Sequence, residues 1–230
     1  MKNCLIILLV IVALPAYSQL GGKDDRYFKD FQKKAYYFGI NLGFNHTGFA
    51  LSRSGFFINN DSIRVTEGRS EIGLNMHMVT NLRIGDYFDF RFIPGFSFAQ
   101  RGLEFTDIET NLVNTRKIES VFVEMPLQLR YKSMPYKDKR MFMLAGLKYS
   151  YDVQSNAKSR KSQLKISPHD FQYEFGFGIQ MFYPYFIFSP EIKFSKGLSN
   201  LLIYDNSRNE SRILEKVRTE IISISFNFEG

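Results

Sequence analysis

The chain has 230 residues, 44% of them hydrophobic and 16% aromatic without a single Trp, which excludes a disordered chain. With 16 Gly and 7 Pro it is neither collagen-like nor low in complexity, and one Cys excludes a disulfide framework or a thiolate metal cluster. A net charge of +7 is too mild to imply a nucleic-acid partner, and 3 His leave little for a metal site.

The first eighteen residues read as a secretory signal peptide. Lys2 supplies a basic start, Leu5 to Leu14 is a continuous apolar run, and Ala16-Tyr17-Ser18 fits a small-x-small cleavage site. That run is well short of the roughly 20 residues a membrane helix needs. Cleavage near Ser18 removes Cys4, the only cysteine. Residues 19–35 are polar and charged and read as a short periplasmic leader.

From there the sequence counts in twos, the period of a two-faced strand. Tyr36, Phe38, Ile40, Leu42 and Phe44 alternate with Gly39, Asn41, Gly43 and Asn45. Ile72 to Met78 and Phe88 to Phe98 repeat the pattern, the latter around Pro94. Val121 to Tyr131 carries Pro126, where a ladder donor is lost, and Met141 to Tyr151 follows. Asp170 to Met181 alternates without a fault. Phe186 to Ser195 and a segment from about Arg218 to Phe228 complete the set, the last with Ile221 and Glu220 out of phase. These eight strands are each expected to have about 9–11 residues, enough to cross a bilayer at a tilt. Four long connections (Asn45 to Ser70, Ala99 to Lys117, Asp152 to His169, Lys196 to Val217) alternate with three short ones (Arg83 to Asp86, Lys132 to Lys139, Phe182 to Pro184). The pattern predicts an all-β fold: an eight-stranded antiparallel up-and-down barrel of the outer-membrane type, in one domain spanning 19–230.

Volume decides which face points outward. Eight strands enclose a space only just filled by side chains. The bulky face carries Phe, Tyr, Leu, Ile and Met at every level, too much for that interior. The other face, of Gly, Ser, Asn and a few charges, fits. An outward apolar belt requires lipid, which places the chain in a bacterial outer membrane, in contact with its lipid and lipopolysaccharide. The inward charges are Asp89, Glu124, Glu174 and Glu191 against Arg91, Arg130, Lys148 and Lys193. Equal numbers predict an ion-pair network that plugs the lumen, since unpaired buried charge is costly.

No catalytic motif is present: there is no HExxH, Walker loop or GxSxG, and no cofactor or metal site is expected. His77 is expected to face the lumen without an obvious serine, and His46 and His169 to lie at loop bases. Lys158, Arg160, Lys161 and Lys165 form a basic cluster in a long loop that can meet lipopolysaccharide phosphates. On the short-turn side, Tyr136 with Lys137 and Lys139 is the candidate partner contact, flanked by Lys132 and Arg140.

Three stretches resemble the PorT family: Val123-Glu-Met-Pro-Leu-Gln-Leu-Arg-Tyr-Lys132, Leu144-Ala-Gly-Leu-Lys-Tyr-Ser-Tyr-Asp152 and Phe188-Ser-Pro-Glu-Ile-Lys-Phe-Ser-Lys-Gly-Leu-Ser-Asn-Leu-Leu202. The third, with Gly197-Leu-Ser-Asn-Leu after a strand, is the most specific. The resemblance implies a small non-enzymatic outer-membrane barrel that serves type IX secretion and gliding motility through other envelope proteins. A lipid-modifying outer-membrane enzyme and a structural or adhesive barrel are the alternatives.

Overall fold

A computed structural model describes residues 26–53, 63–107, 113–154, 166–203 and 214–230. The signal peptide, the first part of the leader and the basic cluster at 158–165 lie outside the described residues. A short helix, α1 (Arg26–Gln32), precedes nine strand segments: β1 (Tyr36–Arg53), β2 (Ile63–Ile84), β3 (Phe88–Phe92), β4 (Gly95–Asp107), β5 (Val113–Lys132), β6 (Lys139–Asp152), β7 (His169–Phe182), β8 (Ile187–Gly197) and β9 (Leu214–Glu229). Each pairs antiparallel with its neighbours, and β9 pairs back onto β1, so the sheet closes on itself.

The nine segments make eight wall strands. β3 and β4 are two halves of one strand, because both pair with β2 and β5 in a single register. Phe92 faces Leu127 and Gly95 faces Glu124 on one side; Thr80 faces Phe92 and His77 faces Gly95 on the other. The gap falls at Ile93-Pro94, where the proline has no N–H to give the ladder. The Pro94 carbonyl still accepts from the Met78 N–H at 2.8 Å, and the Ile93 N–H donates to the Pro126 carbonyl at 3.1 Å.

The strands are longer than the expected 9–11 residues: β1 has 18, β2 has 22 and β5 has 20. The β1–β9, β2–β4 and β4–β5 pairs run on past the apolar belt, as far as Arg53 opposite Leu214, Ile63 opposite Asp107 and Thr106 opposite Val113. Much of Asn45 to Ser70 and Ala99 to Lys117 is therefore strand. Backbone pairing needs no apolar alternation, so polar strand ends look like loop in the sequence.

The faces are inside out relative to a soluble protein. Met143 is 66% exposed on the outer wall, whereas Arg91 and Arg130 are fully buried in the lumen. β7 shows strict alternation of exposed and buried residues along its length. In β9, Ile221 points inward, and Glu220 points outward to meet Lys196 at 2.8 Å. Space in the lumen is tight: a Cβ on Gly178 would stand 2.5 Å from the Phe142 ring.

The leader expected over 19–35 contains α1. Phe28 and Phe31 lie on one face of it and pack with Tyr37, Phe182 and Ile187 in the short-turn mouth of the barrel. Phe28 meets Phe182 edge to face, with ring centroids 5.2 Å apart. A helix this short does not hold by itself in water, so docking must supply its stability.

Candidate functional site

The lumen is built from charged side chains that long-range pairing brings together. Arg91 and Arg130 project from neighbouring wall strands, and Glu191 and Glu229 oppose them from β8 and β9. Glu191 stands 3.4 Å from Arg91, 3.7 Å from Arg130 and 3.1 Å from Lys193. Glu229 bridges Arg91 and Arg130. The Arg130 guanidinium also stacks over the Phe142 ring at 4.0 Å. Towards the short turns, Asp89 pairs with Lys132 and accepts a 3.4 Å bond from the Tyr37 hydroxyl. Towards the long connections, Glu124 is held by Lys148 at 3.3 Å and by His77 at 3.1 Å.

Seven of the eight expected charges thus sit in ion pairs. Glu174 does not. Its carboxylate accepts from Gln128 and from the Ser195 hydroxyl, with no ion pair to it among the described residues. Its same-strand neighbours toward the lumen, Gln172 and Gly176, carry no charge. Two members were missed, Lys132 and Glu229, and His77, expected to face the lumen, was not linked to the network. Lys132 ends a strand and looked like part of a turn. Glu229 hid behind the doubtful phase of the last strand. His77 and Glu124 are 47 positions apart, so no local pattern links them.

Among the described residues, side chains fold in at both ends of the lumen. On the long-connection side, the Gly197-Leu-Ser-Asn-Leu stretch folds inward and Leu201 is buried. The Leu201 N–H donates to the Val217 carbonyl at 2.9 Å, and Asn200 Oδ1 accepts from the Val217 N–H at 2.9 Å. Ser199 Oγ receives the Phe171 N–H at 3.3 Å. The stretch therefore ties β7 to β9.

On the short-turn side α1 is held by the turns. Its Phe28 N–H donates to Asp138 Oδ1 at 3.0 Å, so a turn residue caps the helix from outside. Gln32 Nε2 donates to Asp86 Oδ1 at 3.2 Å, and Arg83 reaches both the Gln32 carbonyl and Asp86. Arg140, expected beside Tyr136 as a surface base, is buried beneath the helix with its guanidinium 5.1 Å from the Phe28 ring. Lys132 is likewise buried. Tyr136, Lys137 and Lys139 remain exposed, with Lys137 Nζ 5.5 Å from the Tyr136 ring. Tyr136 and Lys139 close a two-residue hairpin turn, in which Lys137 (φ 50°) and Asp138 (φ 55°) are both left-handed. Asn-Gly is the usual pair there, so Lys and Asp cost conformational strain that the helix cap offsets.

Asp138→Ala is expected to weaken the docking of α1 by about 1 kcal/mol, the usual worth of a helix cap. Faster proteolysis within 26–35, with the barrel intact, is the readout. Acid should act in the same direction. The Gln32 amide first, and then Arg83, hold the Asp86 carboxyl below its ordinary value of 3.8. A depressed carboxyl stabilises the docked helix fully above that ordinary value and loses this effect as pH falls through the lower, docked value. Protection of 26–35 should therefore drop only in strong acid, and Asp86→Asn should abolish that drop.

Little of this arrangement is suited to catalysis. Both ring nitrogens of His77 are occupied, Nδ1 lying 3.3 Å from Asn41 Oδ1 and Nε2 3.1 Å from Glu124. The free space beside His77, Ser97, Glu174 and Ser195 is about 10 Å³, room for about one water. His46 is not at a loop base but mid-strand in β1, opposite Ile72 and Ile222, and points outward. His169 does begin β7, where its Nδ1 lies 2.7 Å from the Tyr149 hydroxyl. Among the described residues, no three His, Cys, Asp or Glu side chains are grouped to hold a metal ion.

Solved structures similar to the chain include the outer membrane protein OprG from Pseudomonas aeruginosa, at 14% identity over 85% of this chain and 95% of that one, with a TM-score of 0.46. Neisserial surface protein A (NspA) is 10% identical over 83% and 95%, with a TM-score of 0.43. Ail, the attachment invasion locus protein of Yersinia pestis, in complex with the heparin analogue sucrose octasulfate, is 10% identical over 86% and 100%, with a TM-score of 0.38. No curated protein matches the chain. Residues 23–202 match the family described as "Outer membrane protein beta-barrel domain", and that span runs from just before α1 through β8 to Leu202. With most of its length inside that match and an apolar belt around a closed antiparallel ring, the chain belongs to this family of outer-membrane barrels.

Proposed function

We propose that the chain is a non-enzymatic outer-membrane component of type IX protein secretion and gliding motility, exported by its signal peptide and acting on envelope proteins through its short-turn end. The observation that carries a binding role is the filled lumen: Arg91, Arg130, Glu191 and Glu229 occupy its middle, and α1 covers one mouth. A wall in lipid and a lumen of paired charges leave the ends as contact surfaces. The PorT-like stretches supply the secretion role, and cargo arriving from the periplasm favours the short-turn end. There Tyr136, Lys137 and Lys139 are exposed on the turn whose Asp138 caps α1.

Deleting the gene should leave secreted cargo in the periplasm, and the intact chain should restore export. Replacing Tyr136, Lys137 and Lys139 with Ser, with Asp138 kept to cap α1, should leave outer-membrane levels normal and reduce secretion. Shortening the Asp152 to His169 connection should leave secretion unchanged. Normal secretion in the turn variant, with loss in the loop variant, would place the contact on the outer surface. The strand extensions of β1, β2, β4 and β5 favour a second reading, an adhesive barrel. It requires that trimming the β1–β2 hairpin abolish surface attachment while secretion stays normal.

A further inference from the structure

The outer wall is not uniformly covered. On its short-turn half a groove of about 720 Å³ opens between bulky rows, lined almost wholly by carbon. This is within the roughly 300–1,000 Å³ typical of small-molecule sites. Its origin is in the register. Met143, Phe177 and Ile192 lie directly across from one another on β6, β7 and β8 and form one raised row. The next level towards the turns carries small side chains, Ser133 after β5 and Pro190 in β8, beside Met141 and Ile179. Pro190 has no ladder donor, and the β7–β8 pairing lapses between Gly178 opposite Glu191 and Met181 opposite Phe188.

We propose that this groove binds one anionic phospholipid of the periplasmic leaflet, with an acyl chain in the groove and the phosphate at Lys139. Three observations converge on that occupant. The groove is continuous with the lipid-facing belt of an outer-membrane barrel, so acyl chains already surround it. Lys139, Met141 and Met143 are successive outward residues of β6, which sets the Lys139 backbone two residues, or roughly 7 Å, beyond Met141 at the groove's turn-side end, within reach of its long side chain. Tyr131, opposite Met143, lines the groove on its β5 side and offers an aromatic face to an acyl chain. Met141 and Met143 are unbranched and flexible, which suits a chain of variable conformation. An annular lipid would contact any part of the wall; here the space and the charge coincide at one place.

Native mass spectrometry of the detergent-purified barrel, incubated with phosphatidylglycerol or phosphatidylcholine, tests the proposal. The intact chain should keep one phosphatidylglycerol, and phosphatidylcholine more weakly. Lys139→Gln should lower phosphatidylglycerol retention about fivefold, the effect of one base near a lipid surface, and erase the headgroup preference. Met143→Trp, which fills the groove from its lipid-facing edge, should lose both lipids. Heat-modifiable migration shows that each variant is folded, and if Met143→Trp is not, Lys139→Gln still decides. Equal retention of both lipids by the intact chain and Lys139→Gln means annular lipid only and overturns the proposal. A lipid-free dimer, with a second copy in the groove, overturns it as well.

Discussion

Glu191→Gln is expected to destabilise the barrel by about 3–5 kcal/mol, the cost of breaking a buried ion pair by removing one partner. Its carboxylate is shared by Arg91, Arg130 and Lys193, at 3.4, 3.7 and 3.1 Å. Neutralising it leaves three bases with too little negative charge among buried side chains. Glu174→Gln is the control. Gln128 donates to one oxygen of Glu174 and Ser195 to the other, so a glutamine can keep the first bond through its oxygen and donate its amide to the Ser195 hydroxyl oxygen. That change should cost about 1 kcal/mol, the scale of a weakened hydrogen bond. Urea unfolding of the detergent-solubilised barrel measures both. Equal losses would mean that the central cluster carries no special weight. Arg91→Met combined with Glu229→Met should be milder than either alone, because it removes both charges of one pair.

The second large effect concerns the belt. Phe175 is outward at mid-strand in β7, 52% exposed, with its ring stacked on Phe194 at 5.4 Å. Phe175→Arg should cost roughly 2–4 kcal/mol if the position lies near the bilayer midplane, and should impair assembly. Gln172→Ser changes an inward side chain that donates to Asp170, and the barrel should still assemble. Heat-modifiable gel migration after expression separates the two. Equal behaviour would contradict the assignment of faces.

These faces were legible in the sequence because volume and period act residue by residue. Phe171 to Met181 alternates so cleanly that the strand, its two sides and the lipid all follow. Pro94 was legible as a fault in the pattern, though not as a break that leaves the register intact. What local patterns could not show depends on partners far along the chain. Nothing within Arg26 to Gln32 marks it as a docked helix, since its two Phe become a buried face only against Phe182 and Ile187. Asp138 looks like an ordinary turn residue until Phe28, 110 positions away, donates to it. Glu174 looked like its neighbours in the lumen, yet the strands facing it present an amide and a hydroxyl instead of a base.

The central claim is that the lumen is a closed polar plug, so that function resides at the two ends. Purified wild-type barrel in planar bilayers at moderate salt tests it directly. Insertion without stable conductance steps is the expected result, with or without residues 26–35. Stable single-channel currents through the wild-type protein would contradict it, since the clusters around Glu191 and Glu124 would then have to leave a continuous path for ions.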